Sequence, residues 1–248
     1  MATIWKKTSK GKTYEVKSAG SSIRLYTDGV FHTQFNHQYP LGGSIWDLLV
    51  LPILFNPKAI KKVLILGLGG GSVVRTLREL LPETNITALE LNPIHIQIAR
   101  KYFNVKSDKR TRIIEDDAID WINSYCGVKF DFILDDLFVE QAGQPLRATL
   151  SGATWTDLLL KHLATQGVLA VNFDSPRNLR DSPWLNQSKY HKLFKSRFSL
   201  SVPGYENRVA AFFKSQQTHA DLKNSLADLQ KIHGKQICQR LNYRIRQL

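Results

Sequence analysis

The chain has 248 residues, 43% of them hydrophobic and 22% charged, which suits one substantial core and argues against disorder. Two cysteines, Cys126 and Cys238, cannot build a disulfide framework, and no Cys/His cluster has zinc-ligand spacing. The charge is +13 overall but unevenly spread: residues 63–175 carry 11 basic and 14 acidic side chains, against 9 and 3 in 1–62, 8 and 2 in 176–214, and 6 and 2 in 215–248. An acidic centre between basic flanks suits either a solvated surface that aids solubility or contact with an anionic partner, such as nucleic acid or an acidic protein.

The first residues, MATIWKKTSKGK, hold lysines with no apolar run behind them, so a secretory signal is not expected. Tyr14 to Val16, Ser22 to Tyr26 and Val30 to Phe35 alternate as strands, and Asp28-Gly29 is a hairpin turn signal. Ile45 to Phe55 reads as a helix. It is interrupted by Asp47 and Pro52 and is far short of the roughly 20 apolar residues of a bilayer span, so a cytoplasmic protein without membrane contact is expected. From Lys61 the rhythm changes. Val63–Leu66, Asn85–Leu89, Arg112–Ile114, Phe130–Leu134 and Val168–Phe173 read as buried strands, with helical stretches at Val73–Leu81, Pro93–Phe103 and Trp155–Ala164. That alternation predicts an α/β layer, doubly wound around a mostly parallel sheet, with a small N-terminal β element. Beyond Ser175, Tyr190 to Phe198 looks helical, Arg208 to Lys214 reads as an edge or late strand, and Ala220 to Leu248 as a basic helical tail. The expected division is 1–60, 61–214 and 215–248.

The chemistry concentrates in the middle part. Gly67-Leu-Gly69-Gly70-Gly71-Ser72 closes the first buried strand and opens a helix, so Gly67, Gly69 and Gly71 allow a tight turn and close approach of a ligand to the backbone. Glu90 ends the next strand, where a carboxylate can accept both ribose hydroxyls. Asp116-Asp117-Ala118 follows the third strand, where an acid can accept from an adenine amino group. No Gly-Lys-Ser/Thr is present, which excludes a P-loop NTPase. Glycine turn, strand-end acid and strand-end Asp in that order point to an adenosyl nucleotide of the S-adenosylmethionine type, a dinucleotide being the other reading.

With Lys62-Val-Leu-Ile-Leu-Gly67, Glu90-Leu-Asn-Pro93, Ala99-Arg-Lys-Tyr102, Glu115-Asp-Asp-Ala118, Phe130-Asp-Phe-Ile-Leu-Asp135 and Val202-Pro-Gly-Tyr205, the chain resembles the spermidine synthases, or polyamine aminopropyltransferases. The resemblance implies the Rossmann-like class I methyltransferase fold, Glu90 as ribose ligand, Asp117 as adenine ligand and a homodimer or larger assembly. It also exposes departures. The family's glycine turn carries an Asp for the amine of decarboxylated S-adenosylmethionine, and here that position is Gly70. Its Asp-Ser-Ser-Asp signature reads Asp135-Asp136-Leu137-Phe138, so the second Asp falls on Phe138. Its Tyr-His-Glu stretch has no counterpart in Gly42 to Asp47.

A polycation needs several carboxylates to hold it out of water. The preferred reading is therefore methyl transfer from S-adenosylmethionine, with Asp135, Asp136 and Phe138 lining the donor end and Phe138 placed for a cation–π contact. Aminopropyl transfer to a polyamine, with Asp135 or Asp136 as base and decarboxylated S-adenosylmethionine as donor, is the alternative. A non-catalytic protein that binds the nucleotide or methylthioadenosine, or a partner through its basic flanks, is the third.

Overall fold

The computed structural model of the chain describes residues 1–141, 144–149 and 152–248. It opens with a four-stranded antiparallel sheet in sequential order: β1 (Ala2–Ser9), β2 (Lys12–Ala19), β3 (Ser22–Thr27) and β4 (Val30–Asn36). The β3–β4 turn is the Asp28-Gly29 expected from sequence, both residues at positive φ, which matches the right-handed twist of the flanking strands. β1 carries no sequence signal, because nearly all its side chains are exposed and its lysines break any apolar alternation.

A short helix, α1 (Ile45–Val50), continues as a 3₁₀ turn over Leu51–Phe55, and every residue of both is buried. Asp47 lies inside this apolar stretch because it caps the helix, accepting at Oδ2 from the amides of Gly43 (2.6 Å) and Ser44 (2.9 Å). Burial pushes its carboxyl up to about 6 against these hydrogen bonds. Since the folded value lies above the unfolded one, near 3.8, the fold is stabilised below that window and loses this contribution as pH rises through it. Asp47→Asn keeps an acceptor for both amides and removes the ionisation. It is expected to flatten the decline in stability between pH 4 and pH 6.5, measured by urea unfolding at the two pH values.

The second sheet is built from β5 (Lys62–Leu66), α2 (Ser72–Leu80), β6 (Asn85–Glu90), α3 (Pro93–Tyr102), β7 (Thr111–Glu115), α4 (Ala118–Ser124) and β8 (Phe130–Asp135). A hairpin of β9 (Phe138–Gln141) and β10 (Gln144–Arg147) precedes α5 (Ala153–His162) and β11 (Leu163–Phe173). Three short helices follow, α6 (Pro176–Arg180), α7 (Pro183–Asn186) and α8 (Ser188–Leu193), then β12 (Ser196–Ser201), β13 (Arg208–Phe213), α9 (His219–His233) and β14 (Arg244–Gln247). The strand order is β14-β12-β13-β11-β8-β5-β6-β7. β5 pairs in parallel with β6 and β8, β6 with β7 and β8 with β11, while β13 runs antiparallel to β11 and β12. The order reverses between β5 and β8, which opens a crevice at the carboxyl ends of the parallel strands. One core lies between the N-terminal sheet, α1–α3 and one face of the large sheet, and a second lies under α4, α5, α7 and α8 on the other.

The structure corrects three expectations beyond residue 175. The helix expected over Tyr190–Phe198 ends at Leu193, and Phe198 belongs to β12, where it and Leu200 enter the core. The strand at Arg208–Phe213 is interior, flanked by β11 and β12. The tail from Ala220 is helical only to His233. Its Leu222, Leu226 and Leu229, spaced along one face, are buried, and after Gly234 the chain turns back to add β14 beside β12. No described helix is long and apolar enough to cross a membrane.

Candidate active site

A cavity of about 780 Å³ lies between the N-terminal sheet and the carboxyl ends of β5, β6, β7 and β8, within the size range of cofactor sites. Gly67, Gly69, Glu90, Asp116, Asp117, Ala118 and Asp136, all singled out in the sequence, border it; Gly71 and Asp135 do not. Gly67 must be glycine on two counts: its φ is +94°, and a Cβ there would sit 2.3 Å from the Asp136 carbonyl oxygen. Gly71 caps α2 and packs on Val105, so its part in the turn is structural.

Glu90 is fixed from three sides. Its Oε2 accepts from the Gly69 amide at 2.8 Å, its Oε1 accepts from the Asn92 amide at 2.9 Å, and His95 Nδ1 stands 3.6 Å from Oε1. Burial works to raise its pKa, but His95 and the two amides outweigh burial and hold it below the ordinary glutamate value. A carboxylate oxygen accepts more than one hydrogen bond, so a lone pair on each remains for a ribose hydroxyl. His95 is in turn held by Thr27 Oγ1, 2.9 Å from Nε2, which ties the Glu90 end of the cavity to the N-terminal sheet. Sequence reasoning missed His95, since a lone histidine inside a helical apolar pattern carries no signal of its own.

Asp117 caps α4, its Oδ1 accepting from the amides of Ile119 and Asp120, and its Oδ2 remains to accept from an adenine amino group. Leu91 and Ile119 also line the cavity and are 64% and 37% exposed, which leaves two apolar surfaces suited to the faces of a purine. These features fit an S-adenosyl nucleotide.

The two adjacent acids at the end of β8 face opposite ways, as successive strand residues do. Asp135 is 1% exposed behind the cavity wall. Its Oδ2 accepts from Arg147 Nη2 at 2.7 Å and from Trp155 Nε1 at 2.8 Å, so it belongs to a buried ion pair and does not line the donor end. Asp136 faces the cavity, with Oδ1 accepting from Asn172 Nδ2 at 2.8 Å. Burial pushes the Asp136 carboxyl up to about 7; the Asn172 hydrogen bond and the Arg147 charge pull it down, and Asp135 and Glu90 push it up. A carboxyl titrating near neutrality in a cleft suits a general base. Phe138 also borders the cavity, with the Arg147 guanidinium 5.9 Å from its ring centre.

The cavity wall also carries aromatic side chains. Phe31 meets Trp46 edge to face at 4.6 Å, and Tyr205 lies 6.4 Å from Trp46. Trp46 occupies the stretch in which sequence reasoning found no functional side chain. Among the described residues no group of His, Cys, Asp and Glu is arranged to hold a metal ion.

The strand order with its antiparallel β13, the switch point beside β5 and the ordered Gly67–Glu90–Asp117 series define a class I methyltransferase-like Rossmann protein. The chain belongs to the spermine/spermidine synthase domain family, whose sequence pattern matches residues 47–224. It is 34% identical over 153 residues to a polyamine aminopropyltransferase of Vibrio vulnificus, across 61% of this chain and 49% of that protein. It is also 39% identical over 79 residues to an eEF1A lysine and N-terminal methyltransferase homolog of Drosophila melanogaster, across 31% of this chain and 12% of that protein. The chain thus spans about half or less of the length of these relatives. A probable spermidine synthase from Corynebacterium glutamicum superposes with a TM-score of 0.73, covering 100% of this chain and 91% of that one, at 15% identity, a likeness of fold.

Proposed function

We propose that the chain transfers a methyl group from S-adenosylmethionine to an amine, with Asp136 as the general base. The observation that carries the choice of donor is the surroundings of Gly70. A Cβ at this position would meet Thr33 Cγ2 at 2.9 Å and Phe103 Cε2 at 3.0 Å, and the Gly70 amide donates to Thr33 Oγ1 at 2.8 Å. Thr33 therefore fills the space that an Asp would need in order to hold the lone ammonium of a decarboxylated donor. The rest of the lining agrees: apart from Glu90, Asp116 and Asp117 it holds one carboxylate, Asp136, together with aromatic side chains, and the exposed Lys7 and Lys10 also border the cavity, a charge balance that disfavours a polycation.

The family relatives named above act on amines by their names, a polyamine in one case and a lysine or N-terminal amine in the other. An alkyl amine has a pKa of about 10.4 and enters protonated, so it needs a base before it can attack. S-adenosylmethionine supplies a methyl group activated by a sulfonium. Asp136 Oδ2 takes one proton from the acceptor nitrogen, whose freed lone pair then forms the N–C bond as the S–C pair returns to sulfur. Glu90 and Asp117 hold the ribose and adenine, and the aromatic wall keeps water from the reacting atoms.

Calorimetry with S-adenosylmethionine, its decarboxylated form and methylthioadenosine tests the reading. S-adenosylmethionine and methylthioadenosine are expected to bind, and tight binding of the decarboxylated donor alone would restore aminopropyl transfer. Glu90→Ala is expected to weaken both bound ligands by about 1–3 kcal/mol; an unchanged affinity would remove Glu90 from the ribose site.

A further inference from the structure

Behind Asp136 three hydrogen bonds meet on a residue that the proposed chemistry does not use. Asn172, on the strand next to β8, donates from Nδ2 to Asp136 Oδ1 at 2.8 Å. Its own Oδ1 accepts from Asn207 Nδ2 at 3.1 Å, and its backbone carbonyl accepts from Arg147 Nη1 at 2.5 Å. Asn207 stands on the loop between β12 and β13, half-buried at the cavity wall. The chain of side-chain amides therefore has a polarity: Asn207 donates to Asn172, and Asn172 donates to the carboxylate. A side-chain amide has one donating and one accepting end, and an ionised carboxylate only accepts. With the accepting end of Asn172 engaged by Asn207, only its donating end is turned to Asp136. A protonated Asp136 gains less from that arrangement, since a hydrogen bond to the charged form is the stronger one.

We infer that Asn172, backed by Asn207, is a positioning residue that holds Asp136 as a carboxylate with Oδ1 engaged and Oδ2 turned to the cavity. The inference rests on the reading of Asp136 as the base. Without the relay the carboxyl is free to rotate and to keep its proton, and the fraction of molecules able to accept a proton near neutral pH falls. The charges of Arg147 on β10, Asp135 at the end of β8 and Glu90 at the end of β6 also act on this carboxyl, and all three residues are kept in the variants below.

The test is a carboxyl ¹³C titration of the full chain labelled at aspartate Cγ, from pH 4.5 to 9, with the Asp136 resonance identified by its loss in Asp136→Asn. The wild-type midpoint is expected near 7. Asn172→Ala is expected to raise it by about one unit, a tenfold change in the ionisation constant that matches the loss of a hydrogen bond to a charged group. Asn207→Ala is expected to raise it by less, because Asn172 stays but is no longer oriented. If Asn172→Ala does not fold, the loop variant Asn207→Ala decides alone. A midpoint that stays put or falls in the folded variants overturns the inference. Full transfer activity in Asp136→Asn would instead sink the base reading and leave the titration result standing, so the two failures are distinguishable.

Discussion

Asp136→Asn is expected to slow methyl transfer by about 100- to 10,000-fold at pH 8, the usual worth of a positioned general base. The substitution preserves shape, and its carbonyl oxygen can still accept from Asn172, so the nucleotide half of the cavity should be unaffected. Calorimetric affinity for S-adenosylmethionine is accordingly expected to stay near the wild-type value while turnover collapses. The pH profile gives an independent check. With Asp136 as the proposed base, wild-type activity is expected to rise with pH through about 7, because a general base works in its ionised form. In the variant that limb should vanish. Methyl incorporation from labelled S-adenosylmethionine into an amine acceptor, followed from pH 5.5 to 9, measures both. A variant that retains the wild-type rate and profile would leave Asp136 as a wall residue.

Arg147→Met is expected to cost about 3–5 kcal/mol of stability, the range for removing one partner of a buried ion pair. The Arg147 side chain is 7% exposed and that of Asp135 is 1% exposed. Asp135 Oδ1 already lacks a partner, so the loss of Arg147 leaves a buried carboxylate with Trp155 Nε1 as its remaining donor among the described contacts. The guanidinium also lies 5.7 Å from the Phe173 ring centre and holds the Asn172 carbonyl, so the substitution loosens the wall behind Asp136 as well. Guanidinium unfolding should show the loss. Adding Asp135→Asn to Arg147→Met is expected to recover much of it, since no unpaired charge then remains. A loss below about 1 kcal/mol in the single variant would mean that the pair is as weak as one on the surface.

That Gly67, Glu90 and Asp117 meet at one cavity was legible in the sequence because each part is local. An apolar strand, a glycine turn and a helix start are contiguous around Gly67, and Glu90 and Asp117 end strands whose apolar runs are visible. The surroundings of Asp136 were not. Which of Asp135 and Asp136 faces the cavity depends on where the β8 ladder ends relative to the pleat, and the composition of the pair is silent on that. Asn172 and Asn207 meet only because β11 and β13 are neighbours, and nothing near either residue signals the other. The fold divides in the same way. β1, with side chains exposed on both faces, lacks alternation. β12 follows α8 without the Gly or Pro that would mark the change from helix to strand. β14 is four residues long with two arginines, and its strand character comes from pairing with β12.

The cavity is walled on one side by the N-terminal sheet, through Tyr14, Thr27 and Phe31, and on the other by the Rossmann layer. Thr27 grips His95, and the Tyr14 hydroxyl accepts from Asn92 Nδ2 at 3.1 Å, so both links land beside Glu90. Docking of the sheet and binding of the nucleotide are then two faces of one equilibrium. A ligand held between the layers must strengthen their association by the same free energy that the association lends to its affinity. Amide exchange in β2 and β3 is therefore expected to slow as an S-adenosyl nucleotide is added. A substitution that peels the sheet away, far from any donor atom, weakens the cofactor by as much as the cofactor would have secured the sheet.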